Sequence, residues 1–146
     1  MELDAFPEEL RRRAIEIGQV LRMEMFPEDN VQPKKGTSKE KRFVIIGKDG
    51  DKVVAALLVN SEINRNLFMQ IGPYQHLIRS EQYDFLDHDS YVDGYMIREF
   101  DAKRVMSTAK YLGSLKIEDI KESIQRAISS PKQKPYIIKR YKLDEK

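Results

Sequence analysis

The chain has 146 residues, of which 40% are hydrophobic and 34% charged, and it contains no cysteine. This length predicts one domain over 1–146, and the lack of cysteine excludes disulfides, thiol catalysis and cysteine-based zinc sites. The longest apolar run, 53–59, is too short to span a membrane, and the N-terminus does not resemble a signal peptide, so we expect a cytoplasmic protein. The formal net charge is only +2, so any binding of a polyanion would depend on local clusters of basic residues.

The first third of the sequence predicts a helix followed by a strand. Pro7, at a favoured first helical position, indicates a short helix over 7–15, which Gly18 ends. The alternation of apolar and polar residues over 19–26 predicts a strand with one solvent-facing side. The segment 27–41 has no periodicity and is rich in lysine, so we expect a long loop.

The middle of the chain predicts a β-hairpin. Two apolar runs, 42–47 and 52–60, flank the sequence Lys48-Asp49-Gly50-Asp51. An Asp-Gly pair supplies the positive φ of a tight turn, so the two runs should pair as antiparallel strands. The start of the first strand and the end of the second should then lie side by side.

The second half predicts several short strands and one clear helix. We expect strands over 67–71, 74–78 and 91–100, a bulge at Gly94, a short helix within 101–111 and a brief strand over 113–115. Apolar residues at helical spacing predict an amphipathic helix over 117–128. The basic tail 131–146 contains Tyr136, Ile137 and Ile138, which could dock. The pattern indicates a mainly β fold with flanking helices, either a barrel or a strongly bent sheet.

Two groups of titratable residues have more than one interpretation. His76 and His88 could act as acid and base in RNA cleavage, but they more often serve as separate structural or surface histidines. An acidic cluster surrounds His88 and could bind a hard cation, but its spacing is not that of an EF-hand, so we expect a solvated loop and no metal site. The cluster consists of Asp84, Asp87, Asp89 and Asp93.

A basic run on the predicted loop is the best candidate site for an anion. It contains the residues Lys34, Lys35, Thr37, Ser38, Lys39, Lys41 and Arg42. Pairing of the two hairpin strands should bring Arg42 next to Ser61, and an arginine beside a hydroxyl is suited to a phosphodiester. A solvated charged face is the alternative. No phosphate-binding loop or dinucleotide fingerprint is present, so we expect no cofactor.

The order of these motifs resembles the MazF/PemK-like toxin family over about 18–130. The family's first strand follows a glycine, as in Gly18–Phe26 here, and its polar loop leads through an arginine into a Val/Ile strand. A second buried strand ends in Ser or Thr, as at Ser61. In the family, a later strand, a Gly-x-Leu element and an amphipathic helix complete the order of motifs. In this chain they are Ser90–Phe100, Gly113–Leu115 and Ile117–Ile128.

This resemblance implies a compact SH3-like β-barrel with a C-terminal amphipathic helix, usually a homodimer. It also implies a metal-independent endoribonuclease for single-stranded RNA, the toxin of a type II toxin–antitoxin system, which a cognate antitoxin protein inhibits. The family's catalytic arginine and hydroxyl correspond to Arg42 and Ser61. Phe43 and Thr37 stand where the family often has proline and glutamate, so Glu40 is the nearest carboxylate and the first candidate for the base, with His76 second.

Another class of function remains open from the sequence. An SH3-like module could bind protein or nucleic acid through the same loop groove without turnover.

Overall fold

The computed structural model describes residues 15–33 and 36–145 and has six strands in one antiparallel sheet. The strands are β1 (Gln19–Met25), β2 (Lys39–Asp49), β3 (Val53–Asn60), β4 (Gln75–Ile78), β5 (Ser90–Asp101) and β6 (Lys110–Ser114). Their hydrogen-bonded order is β4-β5-β3-β2-β1-β6. The mainly β fold predicted from the sequence is confirmed. The order begins with β4 and ends with β6, so closure into an SH3-like barrel stays a prediction.

Within the residues that the structure describes, four short α-helices accompany the sheet: α1 (Phe68–Ile71), α2 (Ala102–Thr108), α3 (Ile117–Ile128) and α4 (Pro135–Arg140). The bounds of α3 are those predicted from its apolar stripe. Ile124 and Ala127 of that stripe are buried, whereas Ile117 at its start is 61% exposed. Single 3-10 turns cover 27–29, 65–67, 72–74, 80–82 and 143–145. No helix in the described part of the chain is both long and apolar enough to pass through a bilayer.

The sheet has an apolar cluster on each face because its central strands carry apolar residues at successive positions. Val44, Ile46 and Leu57 belong to the α3-side cluster, which α3 and α4 cover. Phe43 and Ile45 belong to the α2-side cluster, which includes Val105 and Met106 of α2. Side chains of a strand alternate between faces, so β2 and β3 are buried on both sides, as their continuous apolar runs indicated.

The hairpin of β2 and β3 is confirmed, with Gly50 at φ +59° in its turn. The pairing of β3 with β5 is irregular at the place where a bulge was predicted. Ala56 pairs with Arg98 and Leu58 with Asp93, so the irregular part of β5 is 94–97, which includes Gly94. A Cβ on Gly94 would lie 2.6 Å from the backbone oxygen of Tyr74 and 3.1 Å from the nitrogen of Ala127. Only glycine lets β5 approach α3 this closely.

Two sequence predictions are wrong in this part of the fold. The segment 67–71 is helical and not a strand, and the Asn64 side chain accepts a hydrogen bond from the Asn66 backbone at the start of that helical region. The loop predicted over 27–41 ends early, because β2 begins at Lys39. The helix predicted over 7–15 lies outside the described residues except for its last position.

Candidate functional site

The geometry of the site follows from the different lengths of two paired strands. Arg42 of β2 pairs with Val59 of β3, and β3 ends one residue later at Asn60. Residues 39 and 40 of β2 therefore extend past the end of β3 while still pairing with β1. The open side of this extension forms a groove of about 470 Å³. Its lining includes Arg22, Lys39, Glu40, Lys41, Arg42, Asn60, Ser61 and Glu62.

The structure brings Arg42 and Ser61 to the same groove, as the hairpin argument predicted. The hydroxyl that Arg42 contacts directly, however, is that of Ser90 at the start of β5. An Arg42 guanidinium nitrogen (Nη2) donates to Ser90 Oγ over 3.1 Å. Because β3 lies between β2 and β5 in the sheet, the Arg42 side chain crosses the end of β3 to make this contact. Ser90 is fully buried, and its hydroxyl also donates to the His88 carbonyl at 3.3 Å.

Arg42 is partly buried, and this position affects its electrostatics. Burial lowers the pKa of Arg42 from its ordinary value, and the charge of Asp87 acts in the opposite direction. Within the described part of the chain, the bond to Ser90 is the hydrogen bond that this guanidinium makes. Its other N–H groups make no hydrogen bond to residues 15–33 or 36–145, and a guanidinium donates in the fork geometry that phosphate oxygens accept.

Alternation along β2 divides the predicted basic run between the two faces of the sheet. Lys39 and Lys41 share the face of Phe43, whereas Glu40 shares the other face with Arg42. Glu40 Oε1 lies 2.8 Å from Arg22 Nε in a partly exposed ion pair. Thr37 is exposed and Ser38 partly buried in the preceding loop. Lys34 and Lys35 lie outside the described residues.

Lys41 is the groove lysine with the most unusual surroundings. It is partly buried, and its ammonium donates a hydrogen bond to Asn60 Oδ1. Burial, followed by the positive charges of Lys39, Arg98 and Arg42, lowers the pKa of Lys41 to about 8. The sequence predicts Lys41 only as one anion-binding lysine among several. Nothing in the local pattern indicated that Arg98, on the distant strand β5, would contribute to its environment.

Of the other titratable candidates, His76 and Asp89 have hydrogen-bond partners within the fold. His76 Nε2 lies 2.8 Å from Asp119 Oδ1, and Tyr83 donates to the other oxygen of that carboxylate. His88 is exposed. In the acidic cluster, Asp89 accepts a hydrogen bond from the Ser80 backbone over 2.8 Å. Among residues 15–33 and 36–145, no three histidine, aspartate or glutamate side chains are grouped so as to hold a metal ion.

A second groove continues from the first and has an aromatic lining. It shares Lys39, Ser61 and Glu62 with the first groove and extends to Phe68 and Tyr91. Phe68 is 54% exposed. Tyr74 does not line this groove and packs against Tyr95, with ring centroids 5.9 Å apart. The combined region therefore offers cations, hydroxyls and an exposed aromatic ring along one path.

No family model matches the chain, and no curated protein matches it.

Proposed function

We propose that this chain is a metal-independent endoribonuclease that cleaves single-stranded RNA and acts as the toxin of a type II toxin–antitoxin pair. The observation that carries the proposal is the partly buried Arg42, which lies in a cationic groove with Ser61 and makes a hydrogen bond to Ser90. A fixed guanidinium with free donors beside a hydroxyl is suited to the charge that develops during phosphodiester cleavage.

The reaction is an internal transesterification. The 2′-hydroxyl of one nucleotide attacks the adjacent phosphorus and gives its proton to a base, for which Glu40 in the groove is the first candidate and which passes the proton on to solvent. The bond from phosphorus to the 5′-oxygen breaks, and this oxygen takes a proton from water. The products are a 2′,3′-cyclic phosphate and a 5′-hydroxyl end. Arg42 donates to the non-bridging oxygens, and the Ser61 hydroxyl donates a further hydrogen bond there. Arg42 keeps its proton throughout, because the pKa of a guanidinium is far above neutral, so its contribution is electrostatic.

The rest of the groove supports a single-stranded substrate. Lys39 lines both the first groove and its aromatic continuation, where it can hold a flanking phosphate. Phe68 offers an exposed ring on which an unpaired base can stack. Stacking of this kind needs splayed bases, which a duplex does not provide. The hydroxyls of Thr37 and Ser38 belong to the same proposed surface. Lys34 and Lys35, also predicted to bind RNA, lie outside the described residues.

The assembly that belongs to this proposal is a cytoplasmic homodimer that a cognate antitoxin protein inhibits. The homodimer and the antitoxin are both implied by the family resemblance. The alternative function is a module that binds RNA or protein through the same groove without turnover. The exposed Leu67, Phe68 and Met69, the last of them 91% exposed, favour a binding role of some kind. Turnover of RNA separates the two functions.

The test is cleavage of single-stranded RNA by the purified protein in the presence of EDTA. We expect cleavage to persist in EDTA and to fall by about 10²–10³-fold in Arg42→Ala, since one preorganised donor to the transition state is lost. Ser61→Ala should also lose activity. Arg79→Ala is the matched control, because this arginine is 56% exposed and pairs with Asp89 outside the groove.

Three outcomes would contradict the proposal in different ways. An Arg42→Ala protein as active as the wild type would remove Arg42 from the site. If His76→Ala is inactive while Arg42→Ala remains active, the result would favour the hypothesis that a histidine acts as acid or base in the cleavage. RNA binding without cleavage by the wild type would favour the binding module.

A further inference from the structure

Two arginines lie opposite each other on β1 and β2, at the end of the sheet that contains the first groove. Arg22 of β1 is the register partner of Arg42 of β2, and both line the 470 Å³ groove. Register partners in an antiparallel pair point to the same face of the sheet, with Cβ atoms about 4.5–5.5 Å apart. The two guanidinium groups therefore start from neighbouring positions on one face, which Glu40 shares.

The fold holds these two arginines differently. Arg42 is anchored to Ser90 at one nitrogen and makes no ion pair with a carboxylate among residues 15–33 and 36–145. Arg22 is paired with Glu40, and the two side chains are 40% and 56% exposed. Although Glu40 Oε1 lies 2.8 Å from Arg22 Nε, this buried nitrogen makes no aligned hydrogen bond within the described residues. Arg22 is thus held by one carboxylate that is itself more than half exposed.

The charges of the register partners are mismatched in the absence of a ligand. Like charges directly opposite on paired strands destabilise a sheet. Glu24 and Glu40, the next partners on the same face, are mismatched in the same way with the opposite sign. The contact of Glu40 with Arg22 is diagonal, and an exposed ion pair of this kind contributes little to stability. An anion between the two guanidinium groups would neutralise both of them.

We infer that Arg22 and Arg42 together hold one phosphate group, that of the RNA bond to be cleaved, and that each guanidinium donates to a different non-bridging oxygen. The inference rests on the proposed function and adds Arg22 as a second arginine that contacts the reacting group. The phosphate replaces the Glu40 carboxylate at Arg22, because both are charged oxygen acceptors for the same donors. Glu40 is then released inside the groove, where it is the first candidate for the base.

Two guanidinium groups on one phosphate suit the chemistry of this cleavage. As the 2′-oxygen bonds to phosphorus, negative charge increases on the two non-bridging oxygens. Donors already fixed beside these oxygens stabilise the transition state more than the bound substrate. A guanidinium keeps its proton at neutral pH, so neither arginine enters the proton balance of the reaction.

The first test is a titration of the wild-type protein with inorganic phosphate, followed by NMR at the Nε–H groups of its arginines. We expect the signals of Arg22 and Arg42 to move together with one midpoint, because one ion contacts both. Arg79 is the internal control, since it is 56% exposed and does not line the groove. Different midpoints for Arg22 and Arg42, or an equal movement of the Arg79 signal, would overturn the inference. The titration needs no variant and so does not depend on the folding of a mutant.

The second test compares variants of Arg22 in the cleavage of single-stranded RNA. We expect Arg22→Gln to lower kcat by about 10²-fold, since a donor to the developing charge is lost. Arg22→Lys should recover part of this rate, because it keeps the charge but loses the fork of donors. Arg79→Gln removes the same charge outside the groove and should keep the wild-type rate. An Arg22→Gln protein as fast as the wild type would contradict the role of Arg22.

The third test removes the carboxylate that the phosphate displaces. We expect Glu40→Gln to bind inorganic phosphate about two- to fivefold more tightly, because an exposed ion pair no longer competes. Glu62→Gln is the matched control, since Glu62 is exposed and lines the same groove, and its effect should be smaller. Equal gains in affinity would show a general effect of charge and refute the displacement of Glu40.

These outcomes separate the inference from the proposed function. If the wild type does not cleave RNA while Arg22 and Arg42 titrate together, the proposed function is refuted and the shared phosphate site is supported. If the wild type cleaves RNA while Arg22→Gln keeps full activity and the two arginines titrate separately, the shared site alone is refuted.

Discussion

Two serines near Arg42 have different environments, and only Ser61 was predicted from the sequence as its neighbour. Ser90 is fully buried and accepts a hydrogen bond from the guanidinium. Ser61 follows the end of β3, is exposed and lines the groove. The first serine therefore holds Arg42 in position, whereas the second is accessible to a substrate.

This difference predicts effects of different size for the two alanine variants on the free energy of unfolding. Ser90→Ala leaves a partly buried guanidinium nitrogen without its partner and should lower the free energy of unfolding by about 1–2 kcal/mol. Ser61→Ala should change it by less than about 0.5 kcal/mol, as is usual for exposed sites. Urea unfolding of both variants measures the two values. Equal losses of stability would show that Ser90 does not have the structural role described here.

At the scale of elements, one ion pair joins the turn after β1 to helix α2. Arg104 of α2 donates to both carboxylate oxygens of Asp29, each over 2.8 Å, and its guanidinium lies over the rings of Phe26 and Phe100. Asp29 also accepts from the Phe26 backbone over 2.8 Å. These hydrogen bonds, that of Arg104 first, hold the Asp29 pKa below its ordinary value, although burial opposes the shift.

The stability supplied by this pair should depend on pH. Because the pKa of Asp29 is lower in the folded than in the unfolded chain, the contribution is complete above the unfolded value of about 4 and is lost as pH falls through the folded value. Asp29→Asn should therefore have a free energy of unfolding about 1–2 kcal/mol below that of the wild type at pH 7, and this difference should become smaller below pH 4. Chemical unfolding of both proteins at several pH values measures the difference. A difference that does not change with pH would contradict the link between the Asp29 pKa and stability.

Local signals predicted most elements, and the errors have physical causes. The Asp-Gly turn and the apolar stripe of α3 are complete within a few residues, so the hairpin and α3 were predictable. The run Leu67–Ile71 was misassigned because a short apolar segment has no decisive period. Asn64 was the signal available there, since its side chain accepts from Asn66. Within the site, the pairing of Arg42 and Ser61 followed from the turn, but the contact with Ser90 joins residues 48 positions apart and had no local signature.

At the scale of the whole molecule, charge and apolar surface are distributed unevenly. The formal net charge is only +2, yet cations from β1, β2 and β5 converge on one end of the sheet, and exposed apolar residues of 67–69 lie beside them. Association with polyanions thus depends on this local field and should weaken with added salt. The average composition carries no sign of it.

The resemblance that supports the proposed function also predicts the oligomeric state. We expect a homodimer with twofold symmetry, the commonest closed arrangement of identical chains. Light scattering at micromolar concentration should give twice the mass of one chain, and dilution should reduce it. A mass of one chain across the whole concentration range would contradict this prediction.

The segment 133–143 supplies part of the core that the strands do not provide. Ile137, Tyr141 and Leu143 are buried in the α3-side cluster, and the side chain of Gln133 accepts a hydrogen bond from Ile97 and donates to Gly94 and Ala127. A protease that cuts just before Gln133 would therefore leave the six described strands in one fragment but uncover an apolar face of the sheet, and such a fragment should aggregate.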